Sequence, residues 1–219
     1  MRIIAGSRKG ARLFAPKGLD TRPTGDRTRE AVFNLVGPVD GARVLDLFAG
    51  SGAMGLEALS RGAASAVFVE RDRAAAQTIE RNLEKLDLTG ATVLREDAVR
   101  VLAADGAAGR RYDLVLIDPP YRMLAGILST LARHLPPVLE PDGLIVVESD
   151  AHDPEPELPL AVRTSRRYGS ARITLAHGPA PTRPVRTVSA MVVTLGAADP
   201  QRGSSGALVG STPARKASA

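Results

Sequence analysis

The chain has 219 residues, of which 44% are hydrophobic and only 3% aromatic, enough for one packed domain with a largely aliphatic core. It contains no cysteine, which excludes disulfide frameworks, cysteine-based metal sites and thiol nucleophiles. The formal charge of +5 is unevenly spread: residues 1–33 carry +5, residues 178–219 carry +4, and the stretch between them carries −4. A basic arm on a mildly acidic body suits a polyanionic partner, although a merely solvated terminus would read the same way. No apolar run approaches the roughly 20 residues of a membrane span. The first residues lack the apolar segment of a secretory signal. A soluble, cytoplasmic protein without membrane association is therefore expected.

In chain order, residues 2–17 alternate short apolar and basic stretches around Gly6 and Gly10, the pattern of a small hairpin or arm. Pro23 biases its predecessor away from helix, so 21–24 reads as extended. Thr24 or Asp26 can cap a helix whose apolar face is Ala31, Val32, Leu35 and Val36. From Arg43 onward strands and helices alternate. Strands are predicted over 44–48, 66–69, 91–94, 112–117 and 143–148, with helices over 53–61, 73–88, 98–104 and 124–135 between them. Two more strands, near 160–166 and 172–176, would complete the sheet. Such alternation predicts an α/β fold with a doubly wound, mostly parallel sheet of seven strands. Beyond Gly178 the composition turns to Pro, Ala, Ser and Gly, and 178–219 reads as a flexible tail in which only 188–195 could form a strand. The expected organisation is a basic extension over 1–37, a main domain over 38–177 and the tail.

In open α/β sheets a ligand sits beyond the carboxyl ends of the strands. The first predicted strand runs into Asp46-Leu-Phe48-Ala-Gly50-Ser51-Gly52-Ala-Met-Gly55. Its glycines allow a tight turn and close approach of a ligand to the backbone, with a helix N-terminus behind them. Gly50–Gly55 also satisfies the dinucleotide fingerprint, a weak signal alone. Glu70, twenty residues after Gly50 at the end of the second strand, can accept ribose hydroxyls. Asp46 suits an ammonium better than a pyrophosphate, which it would repel. Asp97, after the third strand, could take an adenine amine or simply cap the next helix. Together these residues favour S-adenosylmethionine over NAD as cofactor.

The fourth strand ends in Asp118-Pro119-Pro120-Tyr121. Two prolines stiffen this turn and fix the direction of its flanking groups. An exocyclic amine on a base is a poor nucleophile, because its lone pair is delocalised into the ring. A carboxylate from Asp118 and the Pro119 carbonyl could accept both of its hydrogens and aim the lone pair at a methyl donor. Tyr121 would stack on the flipped base. A proline-rich turn with a capping Asp is the competing reading.

These motifs, with Arg2-Ile-Ile-Ala-Gly6, Arg22-Pro-Thr-Gly-Asp-Arg27, Arg29-Glu30, Leu56–Arg61, Glu148 and Tyr168-Gly169, resemble the RsmD-type 16S ribosomal RNA guanine-N2 methyltransferases over about residues 1–177. The resemblance implies a class I methyltransferase fold with a small N-terminal hairpin extension, and N2 methylation of a guanine in 16S rRNA on the small ribosomal subunit. Asp118 leans toward guanine, since related enzymes acting on adenine usually carry Asn there. The resemblance also brings Arg22, Thr24, Arg27 and Arg29 near the active-site mouth as RNA contacts, against the alternative of a solvated helix start. Gly25 and the tail depart from the family pattern. His134, His152 and His177 lack metal-ligand spacing, and neither a metal nor a second copy of the chain is expected. Amino methylation of DNA adenine or protein glutamine, nucleotide binding without methyl transfer, and a non-catalytic role in ribosome assembly are the competing functions.

Overall fold

The structure, a computed structural model, describes residues 1–16, 25–158 and 160–178. The extended reading of 21–24 and the flexible reading of 179–219 lie outside the described residues. Helix α1 (Asp26–Val36) is followed by β1 (Arg43–Leu47), α2 (Ala53–Ser60), β2 (Ser65–Val69), α3 (Arg73–Leu86), β3 (Ala91–Leu94) and α4 (Ala98–Ala107). Then come β4 (Tyr112–Ile117), α5 (Tyr121–His134), β5 (Leu139–Asp150), β6 (Val162–Tyr168) and β7 (Ala171–His177). The seven strands form one sheet in the order β3-β2-β1-β4-β5-β7-β6, parallel except where β7 runs against both β5 and β6. No helix among the described residues is long and apolar enough to cross a membrane.

The sheet buries both faces, which is why its central strands read as continuous apolar runs rather than alternating ones. On one face Val44, Phe68, Leu114, Leu116 and Val146 pack with Leu56 and Leu59 of α2, Ile79 of α3 and Phe33 of α1. On the other, Leu45, Leu47, Val115, Ile117 and Val147 pack with Leu102 of α4 and Leu131 of α5. At roughly 25 cal/mol per Å2 of apolar surface removed from water, these two aliphatic layers dominate the folding energy.

Several predicted boundaries shift, each for a local reason. Helix α1 has Gly25 at its N-cap without any side-chain bond, and Asp26 is its first residue and not its cap, while Thr24 lies outside the described residues. Helix α3 ends at Leu86, where Asp87 takes a left-handed conformation (φ 47°), before the glycine expected to close it. Strand β5 starts earlier because Leu139 already pairs with Tyr112. The register then shifts around Glu140–Gly143 before Leu144 resumes opposite Leu114.

The first 16 residues form a hairpin-like arm. Arg2 and Arg12 make an antiparallel bridge, and Ile3 N–H donates to the Ala11 carbonyl at 2.9 Å. The arm is seated on α2 by a buried acid. Glu57 has no exposed surface, and its two oxygens accept from Ile4 N–H (2.7 Å) and Ala5 N–H (2.9 Å). Arg61 Nε donates to the same carboxylate at 2.8 Å, and the equally buried Arg29 guanidinium lies 3.9 Å away. One turn on, Ser60 accepts from Ser7 N–H through its carbonyl (2.7 Å) and from Arg8 N–H through its hydroxyl (3.0 Å), and that hydroxyl donates to the Ala5 carbonyl. Gly6 permits this approach: a Cβ there would sit 1.7 Å from the Ser60 carbonyl oxygen, at a φ of +82°.

Removing one partner from a buried, hydrogen-bonded charge pair strands the other in a low-dielectric interior. Glu57→Ala is therefore expected to lower unfolding free energy by about 3–5 kcal/mol, whereas Glu30→Ala on the exposed side of α1 stays within about 0.5 kcal/mol of the parent. Urea unfolding followed by circular dichroism compares the two variants.

Candidate functional site

The parallel pairing of β1 with β4 sets Leu47 opposite Ile117, so both chains leave the sheet side by side. One runs into the glycine turn and the other into Asp118-Pro119-Pro120. Asp46, one residue before the end of β1, is 2% exposed, and its Oδ2 accepts from Gly55 N–H at 2.9 Å. Burial pushes its carboxyl up to about 7, and the negative charges of Asp118 and Glu70 add to the rise against the opposing Gly55 N–H. Asp46 thus senses both Asp118 and Glu70 at the carboxyl ends of the central strands.

The turn is built by backbone conformation. Phe48 (φ 61°), Gly50 (φ 55°) and Gly52 (φ 79°) are all left-handed, and a phenylalanine in that region stores strain that the packing around it must hold. Glu70 fastens the turn from β2: its Oε2 accepts from Gly50 N–H at 2.9 Å while Oε1 accepts from Asp72 N–H at 2.8 Å. Gly55 lets the start of α2 press onto the sheet, because a Cβ there would lie 2.4 Å from the Phe68 ring. Gly52 serves as N-cap of α2, and the helix N-terminus faces the turn.

At the fourth strand, Asp118 is half-buried, Pro119 buried and Pro120 exposed. Pro120 is the N-cap of α5 and its carbonyl accepts from Met123 N–H at 2.7 Å. The helix therefore begins at Tyr121, three residues earlier than predicted. Asp97 caps α4: one carboxylate oxygen accepts from Val99 N–H (3.0 Å) and Arg100 N–H (3.1 Å). Ser51 packs its hydroxyl 3.7 Å from the Met1 sulfur.

Among the residues expected at the RNA-facing mouth, Arg22 and Thr24 lie outside the described residues, and Arg27 is exposed on the first turn of α1. Arg29 requires correction. It has no exposed surface, and its Nη2 donates to the Arg2 carbonyl at 2.5 Å and to Asp26 at 2.9 Å. Its charge binds the arm to the body instead of facing outward. Sequence reasoning missed Asn82, which is fully buried in α3. Its amide nitrogen donates to the Ser51 and Phe14 carbonyls, both at 3.1 Å, and its oxygen accepts from Phe14 N–H at 2.7 Å. The available signal was a polar residue in register with Ile79 and Leu86 on an apolar helix face.

A sheet of this order, with a glycine turn after the first strand and an acid ending the second, defines a Rossmann-like class I methyltransferase fold. The family model described as Conserved hypothetical protein 95 matches residues 1–177, and the chain belongs to this family. It is 47% identical over 166 residues to the Bacillus subtilis protein YlbH, named as a candidate rRNA methyltransferase, covering 74% of this chain and 88% of that one. Ribosomal RNA small subunit methyltransferase D of Escherichia coli K12 is 41% identical over 162 residues, covering 73% of this chain and 79% of the relative. Among solved structures, a hypothetical protein of Thermus thermophilus superposes with a TM-score of 0.70 at 34% identity, covering 81% of this chain and 99% of its own.

The raised Asp46 carboxyl sets a sign for pH dependence. Its folded value of about 7 exceeds the ordinary 3.8, so between about pH 4 and 7 the native state holds a proton that the unfolded chain has released. The Asp46 contribution to stability is accordingly best at acid pH and declines as pH rises toward 7. Asp46→Asn keeps an oxygen for Gly55 N–H but cannot ionise. Relative to the parent, this variant is expected to gain stability by roughly 2–3 kcal/mol between pH 5 and pH 8; urea unfolding at the two pH values measures the difference, and a constant difference would show that Asp46 does not titrate there.

Proposed function

We propose that the chain transfers a methyl group from S-adenosylmethionine to the exocyclic N2 of a guanine in 16S rRNA of the small ribosomal subunit. The observation that carries this reading is the acidic cluster at the glycine turn, where Asp46 holds Gly55 N–H, Glu70 holds Gly50 N–H, and Asp118 on the neighbouring strand end adds with Glu70 to the rise of the buried Asp46 carboxyl. Such a donor set repels phosphates and is relieved by a bound positive charge, which fits a sulfonium and an ammonium better than a dinucleotide. Family membership over residues 1–177, with relatives named for rRNA methylation, agrees with it.

When bound, S-adenosylmethionine supplies a methyl group already activated on a cationic sulfur. The protein has to bind, orient and exclude water. Asp46 meets the ammonium, with Phe48, Gly50, Ser51 and Gly52 forming the turn beneath it. Glu70 receives the ribose hydroxyls: each of its oxygens already holds one backbone N–H and keeps a second lone pair. The Asp97 oxygen not committed to capping α4 takes the adenine amine. Asp118 and the Pro119 carbonyl accept the two hydrogens of the guanine amine and localise its lone pair. Pro120 stiffens the turn, and Tyr121, at the first position of α5, stacks on the flipped base. Residues 1–37 form the RNA-contacting extension of a methyltransferase domain over 38–177, with Arg22, Thr24 and Arg27 toward phosphates and Arg29 as the internal anchor. One chain carries both the donor pocket and the amine clamp, so a monomer suffices, and a ribosomal substrate assigns it to the cytoplasm.

Asp118→Ala is expected to reduce methyl transfer to 16S rRNA at least roughly 10²-fold, because the amine loses its alignment, with S-adenosylhomocysteine affinity unchanged by calorimetry. Mass spectrometry of small-subunit rRNA from cells lacking the protein should show the loss of one N2-methylguanosine. Radiolabel from the methyl donor entering only DNA or protein fractions, with rRNA unlabelled, would overturn the assignment.

A further inference from the structure

A second feature lies outside the amine clamp and the donor pocket. Phe14, near the end of the described arm, is 37% exposed. Its ring has Arg81 Cζ and Lys85 Nζ each 4.5 Å from the centroid, so the two cationic groups lie within 9 Å of each other. The backbone carbonyl of Arg12, itself an exposed residue, accepts from Lys85 Nζ at 2.7 Å and helps to hold it there. Among the described residues none of the three cations makes an ion pair with an acid. Arg81 and Lys85 are four residues apart on α3 and share a stripe, and Glu84, three residues after Arg81, borders it without forming an ion pair.

Holding two like charges against one ring restricts long side chains that would otherwise spread into solvent. The arrangement is favourable when an anion lies across both. With its ring engaged by cations, Phe14 offers charge rather than an apolar anchor, which disfavours the aromatic hot spots on which protein partners rely. The patch is also near the chemistry. The Phe14 carbonyl and the Ser51 carbonyl of the cofactor turn are bonded to the same Asn82 nitrogen, each at 3.1 Å.

We propose that Arg81 and Lys85, held on Phe14 and with Lys85 tied to the Arg12 carbonyl, form a phosphate-contact site for the backbone of the substrate RNA beside the glycine turn. The site belongs to the methyltransferase body through α3 as much as to the arm, and it rests on the rRNA methyltransferase reading above. It contributes affinity without base specificity, holding the strand next to the pocket while the amine clamp selects the base.

The test uses the full-length protein with naked 16S rRNA and with small ribosomal subunits, both lacking the modification. Binding is measured by filter retention from 50 to 300 mM salt, alongside methyl transfer and calorimetry with S-adenosylhomocysteine. The R81A/K85A variant is expected to bind rRNA about tenfold more weakly at low salt. Its plot of log affinity against log salt should flatten by about 1.4, the loss of two single-strand phosphate contacts. F14L is expected to lose about threefold, since the cations are then no longer held together. S-adenosylhomocysteine affinity and thermal midpoint remain those of the parent in both variants. If the parent protein methylates rRNA while R81A/K85A keeps its affinity and salt slope, the phosphate site is overturned and the enzymatic reading stands. If the parent neither binds nor methylates rRNA, both are overturned.

Discussion

The structure turns on the parallel hydrogen bonding of β1 to β4. That ladder brings two chain segments seventy residues apart to the same edge, with Leu47 opposite Ile117 and the acids Asp46 and Asp118 in one electrostatic neighbourhood. Around this junction the fold makes choices that cost stability. It buries a carboxyl beside like charges, bends Phe48 into a left-handed conformation and leaves no room for a side chain at Gly55. Such costs concentrate where a ligand has to be received, and the packed aliphatic layers on both sheet faces supply the surplus that tolerates them.

The arm is a structural part of the domain as well as a basic segment. Glu57 and Ser60 meet four backbone N–H groups of residues 4, 5, 7 and 8, which would otherwise have to find partners elsewhere. Arg29 balances Glu57 while closing the arm through the Arg2 carbonyl. Asn82 ties the other limb to the glycine turn. The arm is thereby fixed at both limbs to elements that begin or border the pocket.

Most of the fold was legible because the strands are short, apolar and regularly alternated with amphipathic helices, so period and length agreed. The central strand at 112–117 matches its predicted bounds, and the first shifts by one residue. Longer errors arose where local sequence competes with pairing. The Pro-Asp-Gly run at 141–143 suggests a strand start, yet Leu139 already pairs across a shifted register. The glycine turn and its acids were legible because glycines and carboxylates directly after apolar strands stand out in the sequence. Arg29, Glu57 and Asn82 were not, since their partners in the arm lie 27 to 68 residues away in sequence. A charge pattern cannot tell a cation that faces solvent from one closed inside.

Helix α2 is only eight residues long, about 12 Å from end to end, and both ends are committed. Its first turn is set by the Gly55–Asp46 bond, and its last by the seat of Gly6 against Ser60. Adding or deleting one residue would rotate everything downstream by about 100° and swing Glu57 away from the backbone groups it satisfies. The span from Asp46 to Ser60 therefore behaves as a gauge block whose length is set by its two anchored ends.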